Sequence, residues 1–168
     1  MRSDLYWIPV PWPGRLAIAA RPRGGDWLAD EAIGWRRAGI DVVVSLLEED
    51  EAAQLNLADE AQAAETENIR FISFPIPDLG VPASLRRAVS VMSEIDSALR
   101  AGKNVAIHCR QGIGRSGLIA AGVLAVAGIN PDEAIRVVSS ARGLSVPETD
   151  EQRLWLRRLP ASPPAVVR

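Results

Sequence analysis

The stretch Val105-Ala106-Ile107-His108-Cys109-Arg110-Gln111-Gly112-Ile113-Gly114-Arg115-Ser116-Gly117 decides how this chain is read. Val105 to Ile107 has the composition of a short buried strand, and Ser116 to Ala127 is apolar enough for an interior helix. The turn between them therefore lies at the C-terminal end of a strand, where open α/β sheets bind their ligands. A helix start offers unpaired N–H groups and the positive end of the macrodipole, which together attract an anion. Gly112 and Gly114 let the backbone curl so that successive amides point inward. Arg115 adds a planar donor fork matched to two phosphoryl oxygens. Arg110, Gln111, Gly112, Ile113, Gly114 and Arg115 are thus the candidate phosphate-binding residues. Cys109 opens the turn. An unassisted thiol is only a few per cent thiolate near neutral pH, and the dipoles that draw in phosphate also favour the sulfur anion. A nucleophile beneath a bound phosphoryl group is the outline of a covalent phosphatase.

Outward from this turn, short β-branched runs alternate with segments of helical period, which predicts an α/β fold. The expected architecture is one open, mostly parallel sheet with helices on both faces. A proline-rich lead-in over 1–14 precedes a strand at Leu16 to Ala19. A helix from Asp26 to Ala38, a strand at Val42 to Val44, a helix from Ala52 to Thr66 and a strand from Ile69 to Phe74 follow. Phe74 to Pro82 holds three further prolines besides Gly80 and reads as a shaped loop. Helices are expected over Leu85 to Leu99, Pro131 to Ala141 and Asp150 to about Leu159, with a frayed tail at 160–168. With no internal repeat or composition break, the whole of 1–168 is expected to be a single domain.

Composition narrows the function classes. The 168 residues carry 19 Lys+Arg against 21 Asp+Glu, a formal charge of −2, which argues against dependence on nucleic acid or an anionic membrane. The longest nearly apolar run, Leu118 to Ile129, is about half of what a spanning helix needs. The prolines Pro9, Pro11 and Pro13 do not suit a secretory signal, so a cytoplasmic setting is expected. One cysteine precludes an intrachain disulfide, and with one histidine it leaves too few ligands for a typical structural zinc site. No metal and no cofactor are expected.

The order His108, Cys109, five residues, Arg115, Ser116 resembles the signature of the cysteine-based protein tyrosine phosphatases, and the short chain resembles their dual-specificity branch. The likeness runs from about Val42 to Trp155 through "VVVSLLEEDE", "FPIPDLGVP", "HCRQGIGRSG" and "ARGLSVPETDEQ". The last three are similar to the group containing the cyclin-dependent kinase inhibitor-type phosphatases and their bacterial relatives. This resemblance implies that Cys109 attacks phosphorus, Arg115 binds the phosphoryl oxygens, Ser116 hydrogen-bonds the departing thiolate and Asp78 is the general acid. It also implies that His108 braces the loop from behind and that Gln152 helps place the hydrolytic water. The substrate it implies is a phosphorylated protein or peptide: phosphotyrosine first, with phosphoserine and phosphothreonine open because the chain lacks the phosphotyrosine-clamping region of the larger branch.

Plainer readings stand beside these. Cys109 as an inert buried thiol fits poorly with its neighbours. Asp78 in Pro77-Asp78-Leu79-Gly80 also suits a turn that bonds its own backbone. Ser116 suits a helix cap. Gln152 also closes a capping box with Thr149, and Arg142 either lines the cleft or neutralises a helix end. Glu48-Glu49-Asp50-Glu51 is read as complementing a helix dipole. Trp7 and Trp12 are candidates to flank the cleft. Alternative functions are a phosphatase of a non-protein ester (a phosphoinositide or an RNA 5′ end), a phosphate-binding module without turnover, and a rhodanese-type sulfur transferase. With Arg110 the loop's extra cation beside neutral Gln111 and Ile113, protein substrates are favoured over polyanions. The oligomeric state is left open.

Overall fold

In the computed structural model, which describes residues 4–160, the β-branched runs line up as one five-stranded sheet. The strands are β1 (Leu5–Ile8), β2 (Leu16–Ala19), β3 (Val42–Ser45), β4 (Arg70–Ser73) and β5 (Val105–His108). Their spatial order is β1-β2-β5-β3-β4, antiparallel between β1 and β2 and parallel elsewhere. In register, Ala19 and Ser45 flank His108, so three strand ends deliver their following loops to the same edge. The helices are α1 (Leu28–Arg37), α2 (Glu49–Gln54), α3 (Glu60–Thr66), α4 (Leu85–Arg100), α5 (Gly114–Val126), α6 (Pro131–Arg142) and α7 (Asp150–Leu156). The expected α/β sheet with helices on both faces is what the chain forms.

The pleat sorts the core. Leu16, Ile18, Val42, Val44, Val105 and Ile107 face the larger core with α4 to α7, while Val43 and Ala106 face Ala32, Trp35 and Ala64 of α1 and α3. Every residue of α5 is buried, as expected for a helix enclosed by β2, β5 and three other helices. Its length is still below that of a membrane span, and no described helix is long and apolar enough to cross a membrane. Local signals set the other ends. Ser84 caps α4 by accepting from Arg87 N, and Asn130 with Pro131 opens α6. Gly143, at φ +82°, closes α6 in the left-handed conformation.

Three expectations need correction. The proline-rich lead-in contains β1, whose apolar side chains pair across β2 before the prolines begin. The helix expected over 52–66 starts at Glu49 and is two helices. Asn56 turns left-handed at φ +57°, and Leu57 drops into a cluster with Leu28 and Leu47. The last helix ends at Leu156, and the tail beyond Pro160 lies outside the described residues.

Two helical glycines make opposite predictions from the same substitution. Nothing lies within 4 Å of a Cβ built on Gly34 in α1, so Gly34→Ala should raise the unfolding free energy by about 0.5–1 kcal/mol. A Cβ on Gly122 in α5 meets Met92 Cε at 2.2 Å, so Gly122→Ala should show no such gain, because Met92 must move. Urea melts of the two variants check this; an equal gain in both would mean that the α4–α5 contact is not tight.

Candidate active site

The loop from Cys109 to Ile113 is shaped from outside. His108 O accepts from Leu46 N at 3.0 Å, and Arg110 O from Arg21 N at 3.2 Å. Cys109 O lies 3.4 Å from His108 Nδ1. Arg142 of α6 donates to Gly112 O at 2.9 Å and Gln111 O at 3.4 Å, and its guanidinium lies 4.0 Å over the Tyr6 ring. In a trans peptide the N–H points opposite to the C=O. Holding the carbonyls outward therefore turns the following amides towards the centre of the turn, in front of the α5 N-terminus. Gly112 is required here: φ is +71°, and a Cβ would come within 2.7 Å of backbone atoms of Ala19 and Ala20. Arg142, left open between two roles by sequence, serves as the outer clamp of this loop.

Cys109 is 3% exposed at the base, and Ser116 Oγ lies 3.3 Å from its sulfur. When the sulfur is a thiolate, that hydroxyl can donate to it. Arg115 is 2% exposed and its guanidinium is held on one edge: to Glu51 at 2.6 and 2.9 Å, and to Ile76 O at 3.0 Å. Nη2 also lies 3.3 Å from Asp78 Oδ1. Burial alone would lower the Arg115 pKa. The hydrogen bond to Glu51 and the nearby Cys109, Glu51 and Asp78 outweigh burial and raise it. Conversely the Arg115 hydrogen bond, against desolvation, holds Glu51 below the usual carboxylate range, helped by Glu48 N and the charges of Arg115 and Arg110. The acidic run was read only as dipole-complementing. Its capping box between Glu48 and Glu51 is present, and Glu51 additionally anchors Arg115.

Behind the loop, buried His108 pairs through Nε2 with the carboxylate of Glu60, itself 2% exposed, and stacks on Trp35 with centroids 6.4 Å apart. Nδ1 lies 3.4 Å from the Cys109 carbonyl, so both ring nitrogens have a partner. Glu60 thereby sets the ring's orientation. Sequence reasoning missed it, since nothing in Asp59-Glu60-Ala61 distinguishes it from a solvated helix start.

Asp78, half-exposed, bonds its own backbone through Leu79 N at 3.0 Å while facing Arg115, so the turn reading and the site reading coexist. Gln152 is fully buried. It accepts from Glu148 N and Thr149 N and donates to Gly80 O at 3.0 Å, tying α7 to the Asp78 loop. It does not line the cleft. That cleft, about 90 Å³, is lined by Asp78, Leu79, Cys109, Arg110, Gln111, Gly114, Arg115 and Glu148. Gly112 and Ile113 shape the turn from outside this lining. Trp7 and Trp12 do not flank it; they stack under Arg15 and Arg100 instead. Glu148 was not singled out from sequence.

Residues 19–129 match the family model described as polymorphic toxin system, DSP-PTPase phosphatase. The protein of invertebrate iridescent virus 6 named "Putative tyrosine phosphatase 197R" is 38% identical over 94 residues, covering 54% of this chain and 34% of that protein. The chain spans little more than a third of the length of the curated relatives it matches. The structure of Tk-PTP in its active form is 31% identical, with a TM-score of 0.71, over 87% of this chain and 91% of that one. Kinase-associated phosphatase, solved with its catalytic-site cysteine replaced by serine, has a TM-score of 0.83 at 20% identity over 94% of both chains. This last likeness bears on the fold.

Two stability outcomes follow from the buried charges. Because Glu51 has a depressed pKa, its contribution is present above the ordinary carboxylate pKa near 4.5 and lost as pH falls through the lowered value. Glu51→Gln should therefore be less stable than wild type at neutral pH, with the gap closing in acid; a gap independent of pH would refute the pairing. Glu60→Ala strands a buried imidazole nitrogen without its hydrogen-bond partner and should cost about 1–3 kcal/mol in a urea melt. A loss below about 1 kcal/mol would show that His108 does not depend on this partner.

Proposed function

This chain belongs to the family of polymorphic toxin system DSP-PTPase phosphatases, and from that premise we propose that it hydrolyses phosphorylated protein side chains through a cysteinyl-phosphate intermediate. The observation that supports this most is the gathering of Cys109, Arg115 and Asp78 on one cleft at a helix N-terminus. The cleft volume, about 90 Å³, is well below the roughly 300 Å³ of a drug-sized pocket. It suits one phosphoryl group entering while the rest of the substrate stays outside. Phosphotyrosine is the first substrate, its phenol being the better leaving group, with phosphoserine and phosphothreonine also open. We read residues 1–168 as a single phosphatase unit.

In this scheme the phosphoryl oxygens take the inward amides and the free edge of Arg115, replacing the Asp78 contact on Nη2. Cys109 Sγ attacks phosphorus in line; the S–P bond forms as the ester P–O bond breaks, and Asp78 gives its proton to the departing oxygen. Water then attacks phosphorus, losing a proton to the Asp78 carboxylate. The P–S bond breaks to release inorganic phosphate, and Ser116 stabilises the thiolate that returns. Atoms and charge balance without a cofactor. Glu51 acts by keeping the opposite edge of Arg115 occupied, so that the guanidinium presents a fixed face. Gln152 also holds the acid loop through Gly80.

Cys109→Ser should reduce hydrolysis of a phosphotyrosine peptide to background, and rapid acid quench of wild type should trap a phosphorylated Cys109 by mass spectrometry. Asp78→Ala should lower kcat by about 10²–10⁴-fold with little change in peptide affinity. Full activity of Cys109→Ser, or tight phosphopeptide binding by wild type with no phosphate released, would reject the enzymatic reading.

A further inference from the structure

The walls of the cleft carry an asymmetry of charge beyond the reacting groups. Of its lining residues, Glu148 is exposed at the mouth, and a methyl placed on Gly114 would come within 3.0 Å of Glu148 Oε2. Its carboxylate therefore stands over the first residue of α5, beside the phosphate position. Its backbone N–H is tied to Gln152 Oε1 at 3.1 Å. The carboxylate itself has no ion pair or hydrogen bond among the described residues. Asp78, half-exposed, is the second carboxylate on the lining, and Leu79 beside it is 54% exposed. Against these stands one cation outside the phosphate floor, Arg110. Arg115 is buried and engaged by Glu51.

We propose that Glu148 is a specificity-determining residue that selects phosphorylated peptide segments carrying Lys or Arg beside the phosphorylated residue and disfavours substrates with a second anionic group. This rests on the phosphatase reading of the same cleft and adds the charge of the substrate to it. A bound phosphoryl group is compensated by the amides and Arg115. What it is attached to leaves through a mouth flanked by Asp78, Leu79 and Glu148. A second phosphate or an acidic side chain there meets the Glu148 carboxylate, with Arg110 the one cation on the lining outside the floor to offset it, whereas a lysine or arginine finds an unpaired carboxylate, and an apolar or aromatic stem finds Leu79. A charge pair at such an exposed distance is worth about three- to tenfold in specificity at low salt, and less as salt screens it.

The test compares two phosphotyrosine peptides that differ only in flanking residues, lysine in one and aspartate in the other, together with a short-chain soluble phosphoinositide. Wild type at low salt should prefer the lysine peptide by about three- to tenfold in kcat/KM. Glu148→Gln should bring the ratio towards one, and Glu148→Lys should invert it and improve the phosphoinositide relative to both peptides. Fluorescence-polarisation binding of the same ligands in a Cys109→Ser background reads that ratio without turnover. If wild type fails to hydrolyse even an aryl phosphate, the phosphatase reading fails while this binding ratio still decides the role of Glu148. An unchanged ratio in both variants, or a wild-type preference for the aspartate peptide or the phosphoinositide, overturns the proposal.

Discussion

A loop that is to receive an anion through its amides must have its carbonyls taken up elsewhere, because each planar peptide that turns N–H inward turns C=O outward. From His108 to Gly112 the outward carbonyls meet groups from the β3 end, His108 itself, Arg21 after β2, and Arg142 of α6. No one element supplies them all. The site is therefore a property of the sheet edge, where β2, β3 and β5 end together. The close approach of Gly112 to Ala19 and Ala20 follows from the same crowding.

Charge burial is the second demand. A guanidinium at 2% exposure and an imidazole at 2% exposure both lie beside the nucleophile, and each would be costly without a partner. The partners come from neighbouring short helices. Glu51 in the first turn of α2 takes Arg115, and Glu60 at the start of α3 takes His108. Each carboxylate also sits where a helix N-terminus favours negative charge. The break at Asn56 and Leu57, which divides the expected single helix, gives the chain two such helix starts, at Glu49 and Glu60.

The sequence made the floor of the site legible because its members are local. Cys109 through Ser116 lie within one strand–turn–helix unit, where spacing and residue type limit the geometry. Asp78 was reachable because a parallel sheet returns the loop after β4 to the same edge as the loop after β5. The residues whose roles went unread, Glu51, Glu60 and Arg142, are joined to the site only across long separations. Glu51 and Arg115 are 64 positions apart, Glu60 and His108 48, and Gly112 and Arg142 30. Nothing in an acidic helical turn distinguishes a carboxylate facing solvent from one facing a buried cation. Trp7 and Trp12 went astray for the same reason, since a large aromatic ring is equally suited to cover a cleft or a distant part of the sheet.

By itself, the chain's sequence determined the alternation of buried strands and amphipathic helices, the anion-receiving turn and the order of the groups in it, because those depend on backbone periodicity and near neighbours. Tertiary structure alone decided which edge of Arg115 is free, which ring nitrogen of His108 meets Glu60 and which carboxylates border the mouth. Each of these is set by a side chain that folding brings from another element, and the balance between desolvation and pairing that fixes its role exists only once both partners have been enclosed together.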